Sequence, residues 1–501
     1  MRNTRFYATQ LMKLSLQMLL YIFLFLSFFG MLSITNAAIL NVSRTAASTM
    51  ATFAVVLCIL SIVYGGFDIG VKKMRSVFAN ISLATLFTDV VTYLLLQIMN
   101  VNPANPDAND HLILGGEDLM LLIGAMVLQI GLIYFFVSIG YHSYFRINPP
   151  QRCVIITSSQ ELAEHVAVKL ETFPQKYRLC EVVHFDCPDV KRCILQHDVV
   201  FLAGIPDTEE AQLQTFCYKY NKAIYLQAEL EDVVVSTAQE NILDDMPFLY
   251  IHRVEPTLVQ LVAKRMADIL FSIAGLVLAS PVMLATAVVL QCSHNGSVLF
   301  RQKRATINGK VFEIIKFRTM YCDARDEENT LSAQKNDARV TPIGRFLRKY
   351  RIDELPQLWN VLRGDMSLVG PRPEMLENVD KYTREVPEFR YRQQMKAGLT
   401  GLAQIEGKYN TTPKDKAILD LLYIENFNLA YDCKLLLRTL TIFFRRDSTE
   451  GFGDKHVKCP KMRVNAKPSP TSVAQSAAVA QSASSKADEG EKPRDPLRAA
   501  L

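Results

Sequence analysis

The sequence predicts a multi-domain membrane protein: a four-helix transmembrane bundle, then a Rossmann-like α/β domain, then an α/β-containing catalytic domain preceded by a fifth apolar helix. Three observations predict it. Four apolar stretches, each long enough to span a bilayer, fill the first 145 residues; β-branched runs alternate with helical patterns over 146–252; and a charged segment with no further span follows an apolar stretch broken at Ser280-Pro281. The composition agrees, with 50% hydrophobic against 21% charged residues, a balance shifted away from soluble proteins. A net charge of +5 is small for 501 residues and implies no nucleic-acid partner, while local basic clusters remain suited to lipid headgroups or phosphorylated substrates. Ten cysteines without a Cys-x-x-Cys spacing point neither to zinc nor to a disulfide framework.

The spans run from Leu11 to Ile34, Ser48 to Ile69, Ile81 to Val101 and Asp118 to Tyr141, each sufficient for about 30 Å of hydrocarbon. A cleaved signal peptide is the alternative for the first, but three more spans follow it and no small-residue cleavage site stands out. Arg2 and Arg5 precede the first span, Lys72, Lys73 and Arg75 follow the second, and Arg146 and Arg152 follow the fourth. The positive-inside bias assigns these segments to the cytoplasm. Asn102 to Glu117 has no Lys or Arg and carries Asp107, Asp110 and Glu117, as expected of the opposite side.

From Cys153 to about Ile251, apolar runs at Cys153–Thr157, Leu179–Phe185, Val199–Ala203 and Ala223–Leu226 alternate with helical patterns at Glu161–Glu171 and Glu209–Tyr220. Alternation of this kind predicts a parallel sheet. The first strand runs into Ser158-Ser159-Gln160 rather than a glycine-rich turn, which argues against a redox dinucleotide site. The fifth apolar stretch, about 266–290, contains Ser280-Pro281; proline removes a backbone donor, and Ser280 can satisfy the carbonyl it frees. A straight span and a helix that re-enters the same leaflet are both compatible with it. The segment 253–452 then holds the charged domain, and 453–501, with Ser, Ala, Lys and Pro dominating and no aromatic residue after Phe452, is expected to be a disordered tail.

Arg348-Lys349-Tyr350-Arg351-Ile352-Asp353-Glu354-Leu355-Pro356-Gln357 is the strongest chemical candidate. A helix is expected to begin at or just before Asp353, with its dipole and the nearby cations keeping that carboxylate ionised. An ionised carboxylate among arginines can attack a phosphorus whose oxygens they neutralise, and Glu354 can hold a hard divalent cation. Other acidic pairs occur, for example Glu231-Asp232 and Asp244-Asp245, so the pair does not stand alone. Lys316 and Arg318, at spacing two after the apolar run from Val311 to Ile315, would share one strand face. Gly370-Pro371-Arg372-Pro373-Glu374 is a rigid turn that holds Arg372 out of a helix as a candidate phosphate clamp. Gly398-Leu399-Thr400-Gly401 suggests a tight loop without naming a ligand.

Taken together these motifs resemble the bacterial sugar transferase family, the polyprenyl-phosphate hexose-1-phosphate transferases or monotopic phosphoglycosyl transferases. The resemblance covers about Lys264 to Arg446 and includes Gly364-Asp365-Met366-Ser367-Leu368-Val369-Gly370 and Leu402-Ala403-Gln404 besides the motifs above. The four preceding spans and α/β domain resemble its large-architecture members. The resemblance implies a catalytic dyad of Asp353 and Glu354, Mg2+ with Glu354 as its ligand, and a covalent phosphosugar on Asp353. Lys316, Arg318, Arg351, Arg372 and Gln404 are implied substrate contacts. The implied substrates are a UDP-sugar, glucose or galactose, and undecaprenyl phosphate. Membrane lipids and a second copy in a homodimer are the other implied partners. A re-entrant helix bent at Ser280 and Pro281 would keep the catalytic domain on the cytoplasmic face of a bacterial inner membrane. The sequence departs from the family pattern at Leu402, Glu406 and Lys408, which leaves the sugar or uridine contacts there open. A UDP-N-acetylated amino sugar donor is the alternative within the family; an inactive membrane scaffold for polysaccharide assembly is the alternative outside it.

Overall fold

The computed structural model describes residues 2–34, 40, 44–99, 117–253, 255–293, 297–321, 339–407, 411–441 and 459–463. The chain divides into two units, Met1–Asn148 with Ala228–Asp454, and Pro149–Gln227 with Lys455–Leu501.

The first unit opens with α1 (Arg2–Leu32), α2 (Arg44–Tyr64), α3 (Met74–Met99) and α4 (Glu117–Ile147). Each contains a stretch long and apolar enough to cross a membrane. α1 packs on α4, and α3 packs on both α2 and α4. Leu20, Leu24, Phe28, Phe53, Ile133 and Val137 fill the interior, while Ile22, Ile59, Val127 and Phe135 face outward. Exposed apolar side chains of this size suit lipid rather than water. Buried Gln129 on α4 donates from Nε2 to the Leu24 carbonyl of α1 and to Asp89 Oδ1 of α3, both at 3.2 Å. One amide thus ties three helices through polar contacts, as side chains do where hydrocarbon offers no partner. The acidic segment between α3 and α4 lies outside the described residues.

The second unit is a parallel α/β fold. It runs β1 (Gln151–Thr157), α5 (Gln160–Leu170), β2 (Tyr177–His184), α6 (Val190–Gln196), β3 (Val199–Ala203), α7 (Asp207–Lys219) and β4 (Ala223–Leu226). The order β2-β1-β3-β4 is parallel throughout. β1 is buried on both faces from Cys153 to Thr157 because helices cover each side, which is why it reads as a continuous apolar run. Ser159 caps α5 by accepting from the Leu162 amide at 3.3 Å, so the turn after β1 is a helix cap.

Two boundaries differ from the sequence expectation. Part of the expected disordered tail is ordered: Arg463 donates its amide to the Val182 carbonyl (3.0 Å) and accepts from the His184 amide (3.1 Å), while Cys459 and Met462 pack beside Ala163 and Leu170. β2 is an edge strand, and its unpaired backbone groups provide the template that composition could not announce. The rest of the tail lies outside the described residues. The α/β fold also ends near Gln227 rather than 252. α8 (Leu230–Ser236) buries Leu230 and Val233 against Ile418 and Leu421, and Glu229 pairs with Lys414 at 2.9 Å. The next hairpin, β5 (Gln239–Leu243) with β6 (Met246–Tyr250), is exposed along both strands.

α9 (Leu258–Ser293) leads into the charged part of the first unit. Pro281 lies inside it, and Ser280 Oγ donates to the Val277 carbonyl at 2.7 Å. Val277 is the residue whose carbonyl lost its partner to the proline, so the expected compensation by Ser280 is present. Three polar residues at the start of α9 join it to the following fold. Arg265 donates to the Val361 and Leu362 carbonyls (both 2.7 Å), Asp268 Oδ1 accepts from Ser367 Oγ (3.1 Å) and the Leu368 amide (2.9 Å), and Lys264 reaches Asp432 (2.5 Å) and the Val369 carbonyl (2.9 Å).

The remaining elements are the antiparallel pair β7 (Leu299–Ala305) and β8 (Val311–Phe317), then α10 (Pro342–Lys349), α11 (Gln357–Arg363), β9 (Ser367–Val369), α12 (Leu376–Glu385), β10 (Gly398–Thr400), α13 (Leu402–Glu406), α14 (Pro413–Glu425) and α15 (Leu429–Thr439). Ile314, Val361, Met366, Val369, Ile405, Tyr423 and Leu435 form their common core. β9 and β10 pair in parallel directly beside the Gly370 turn.

Candidate active site

Asp353 and Glu354 lie on a short 3-10 turn, Ile352–Glu354, between α10 and α11. The α-helix expected at Asp353 starts instead at Gln357, after Pro356. Arg351, immediately before the turn, has φ 52° in the left-handed region, a costly conformation for a side chain of its size. This reversal directs Arg351 Nη1 back to Glu354 Oε2 at 3.3 Å.

Two further cations reach the same carboxylate from distant parts of the chain. Lys316 Nζ on β8 and Arg372 Nη2 on the proline-flanked loop approach Glu354 Oε1 at 3.4 and 3.0 Å. Burial by itself pushes the Glu354 carboxyl up, but Arg372, Lys316 and Arg351 overcome it and hold it well below the usual carboxylate range. Glu354 in turn raises the Arg372 guanidinium, whereas burial pushes Lys316 down.

Asp353 is arranged differently. It makes no hydrogen bond or ion pair among the described residues, and its pKa is raised by burial and then by the adjacent Glu354, against Lys316, Arg348 and Arg351. The expected help of a helix dipole is corrected, because no α-helix begins at Asp353, and Lys316 and Arg351 direct their contacts to Glu354 instead. The dyad is therefore one carboxylate fixed by three cations beside one with no fixed partner among the described residues.

The other sequence candidates divide. Arg318 does not join Lys316 at the dyad; its Nη2 donates to Ser297 Oγ at 3.0 Å on the surface. Gln404 Nε2 donates to the Gly398 carbonyl at 3.4 Å on the β9–β10 backbone, and its buried Oε1 has no partner among the described residues. Glu406 pairs with Arg438 on α15, and Lys408 lies outside the described residues. The glycines that suggested only a tight loop have a definite role. A Cβ on Gly398 would lie 2.1 Å from the Gly370 amide nitrogen, and one on Gly401 would lie 2.2 Å from the Gly370 carbonyl oxygen. Backbone-on-backbone approach at these glycines seats the loop carrying Arg372.

Two arginines not named as substrate contacts in the sequence complete the surroundings. Arg348 on α10 faces Asp353 electrostatically and donates Nε to Thr319 Oγ1 at 2.8 Å. Arg304 on β7, pushed down to about 10 by burial, donates to the Pro373 carbonyl at 3.3 Å. Arg348 had a signal, its place three residues before Arg351; Arg304 lies in the basic run Arg301-Gln302-Lys303-Arg304, which does not single it out.

No group of three or more His, Cys, Asp or Glu side chains able to hold a metal converges among the described residues. The donor set at the dyad fits a magnesium ion held largely by phosphate and water with one carboxylate, Glu354, since magnesium uses few protein ligands. Three cations already neutralise Glu354, so an anionic diphosphate would have to accompany the ion.

Comparison with known proteins places this geometry in a family. The family model described as Bacterial sugar transferase matches residues 259–446. An Aeromonas hydrophila protein named UDP-N-acetylgalactosamine-undecaprenyl-phosphate N-acetylgalactosaminephosphotransferase is 42% identical over 193 residues, 38% of this chain and 44% of its own length. A Caulobacter vibrioides protein named UDP-glucose:undecaprenyl-phosphate glucose-1-phosphate transferase is 41% identical over 190 residues, 37% of this chain and 71% of its own. A Rhizobium leguminosarum exopolysaccharide production protein is 38% identical over 188 residues, 36% of this chain and 94% of its own. The match thus spans less than half of the Aeromonas relative and nearly all of the Rhizobium one, and every element that positions the dyad falls within it. The chain belongs to the bacterial sugar transferase family.

Proposed function

We propose that this protein transfers a sugar-1-phosphate from a UDP-sugar to undecaprenyl phosphate. The observation that carries the reading is the division of labour in the dyad: an Asp353 unpartnered among the described residues beside a Glu354 that gathers Lys316, Arg351 and Arg372. Asp353 attacks the phosphorus that bears the sugar; the bond from that phosphorus to the bridging oxygen breaks, and UMP leaves. An oxygen of undecaprenyl phosphate then attacks the phosphosugar on Asp353, releasing the carboxylate and forming the lipid diphosphosugar. Lys316, Arg351 and Arg372 neutralise phosphate oxygens, and Glu354 keeps those cations in position between turnovers. Glu354 would hold a magnesium ion together with the diphosphate, and the ion would supply additional positive charge at the phosphates.

The donor is UDP-glucose or UDP-galactose, in keeping with the names of the Caulobacter relative and of a Salmonella typhimurium galactose phosphotransferase, 34% identical over 225 residues. A UDP-N-acetylated amino sugar is a second reading, favoured by the Aeromonas relative's name. The product would begin capsule, exopolysaccharide or O-antigen assembly. The site would act at the cytoplasmic face of the bacterial inner membrane, with α1–α4 spanning and α9 re-entrant about Ser280-Pro281. Exposed Phe346, Tyr350 and Trp359, close in sequence to the dyad, suit contact with lipid headgroups. The exposed β5–β6 hairpin suits a second copy in a homodimer.

The test is UMP release by purified protein over a panel of UDP-sugars with undecaprenyl phosphate and magnesium. One sugar is expected to release UMP, Asp353→Asn and chelator treatment are expected to abolish release, and an active Asp353→Asn protein removes the nucleophile. Silence with every sugar would leave the inactive-scaffold reading.

A further inference from the structure

The Arg372 loop has few handles by which a protein can hold it. Pro371 and Pro373 have no amide hydrogen, so position is set largely through carbonyl oxygens. Four successive carbonyls are each engaged: Pro371 by the Gly398 amide (2.8 Å), Arg372 by Arg392 Nη2 (2.7 Å), Pro373 by Arg304 Nη1 (3.3 Å) and Glu374 by the Ala305 amide (3.3 Å). Among these, only Arg392 grips the residue whose side chain reaches Glu354.

Arg392 is built for a fixed position. It is 5% exposed, its Nη2 lies 2.7 Å from Asp420 Oδ2 on α14, and its guanidinium sits over the buried Phe389 ring at 4.7 Å. Asp420 is 1% exposed. Glu374, on the same loop, lies 3.9 Å from Arg392 and 3.7 Å from Lys416 of α14. An ion pair this deep contributes little net stability compared with well-packed apolar residues. What it contributes is geometry: a planar guanidinium held between the Asp420 carboxylate and the Phe389 ring, with Nη2 donating to the Arg372 carbonyl.

We propose that Arg392, locked by Asp420, is a positioning residue that sets Arg372 against Glu354 through the Arg372 carbonyl. This rests on the transferase reading, in which Arg372 neutralises phosphate. Arg392 touches neither member of the dyad, so it acts only through the loop. A displacement of Arg372 by a fraction of its 3.0 Å contact with Glu354 affects charge that develops during transfer more than it affects donor capture.

The experiment is a double-mutant cycle on UMP release with the full-length protein. Arg392→Lys keeps a cation beside Asp420, so the buried carboxylate stays paired, but loses the fork. It is expected to lower kcat by about 10- to 100-fold while KM moves by less than about 3-fold. Arg372→Lys is expected to lose more, and the double variant no more than Arg372→Lys alone, within about 2-fold. Multiplying losses, or a change confined to KM, overturns the proposal. Amide hydrogen exchange of the same proteins, measured at Gly370, Arg372 and Glu374, does not depend on activity. Arg392→Lys is expected to accelerate it with an unchanged melting temperature; unchanged exchange overturns the proposal. A wild-type protein that releases no UMP defeats the transferase reading instead and leaves the exchange result standing as the test of loop position.

Discussion

Glu354 sets one negative charge against three cations drawn from β8, the 3-10 turn and the proline-flanked loop. Removing that charge leaves Lys316, Arg351 and Arg372 repelling one another where the proposed reaction binds phosphate. Glu354→Gln is therefore expected to lower UMP release by at least about 100-fold, on the scale of losing a preorganised electrostatic contact. An unchanged elution profile with lost turnover supports this, and near-normal turnover removes Glu354 from the site. Glu374 gives a pH prediction of definite sign. Burial alone raises its pKa, yet Arg392, Lys416, Arg372 and Arg304 hold it below the usual range. Its contribution to stability is thus complete above the unfolded value of about 4.3 and is lost as pH falls through the folded value. The melting-temperature advantage of wild type over Glu374→Gln is expected to shrink as pH falls below about 4. An advantage that grows on acidification contradicts the assignment. The carboxylates of the dyad and the arginines on either side were legible as residues; which carboxylate the cations choose was not, because that depends on where a strand and a loop far apart in sequence are brought.

At the level of elements, α9 is a membrane-length helix whose first turns belong to the catalytic fold. Asp268 Oδ1 is the partner of both Ser367 Oγ and the Leu368 amide at the start of β9, all of them buried. Asp268→Ala leaves two donors without an acceptor and is expected to cost about 1–3 kcal/mol for each of the stranded groups. The expected readout is a lower melting temperature with faster proteolysis near β9; an unchanged melting curve refutes the coupling of α9 to β9. The apolar length of α9 and the break at Ser280-Pro281 are visible from composition and one proline. Lys264, Arg265 and Asp268 are not, since charges near the start of a helix ordinarily read as a solvated face.

Across the whole chain, the second unit draws in residues from the far C-terminal end. Arg463 pairs with β2 across nearly 300 positions of sequence, and Gln160 Oε1 accepts from the Met462 amide at 2.9 Å. Truncation before Cys459 exposes the β2 edge and part of the cluster around Ala163 and Leu170. It is expected to destabilise the α/β unit by a few degrees in thermal unfolding and to promote association through the open edge, both measurable by melting and by light scattering. Unchanged melting and a monodisperse truncated protein deny the segment that role.

The sequence by itself determined what depends on local pattern: apolar length for five helices, the parallel α/β alternation, the serine that compensates Pro281, and the motif residues that mark the family. Tertiary structure alone decided what depends on contacts between distant residues. It chose Glu354 as the shared partner of Lys316, Arg351 and Arg372, and among the described residues it left Asp353 without one. It turned Arg318 and Gln404 elsewhere, drew Cys459 to Arg463 onto an open strand edge, and placed Arg392 behind Arg372. The physical reason is that helix and strand periodicities are written in neighbouring residues, whereas a charge finds its partner only after the chain has closed the loops between them.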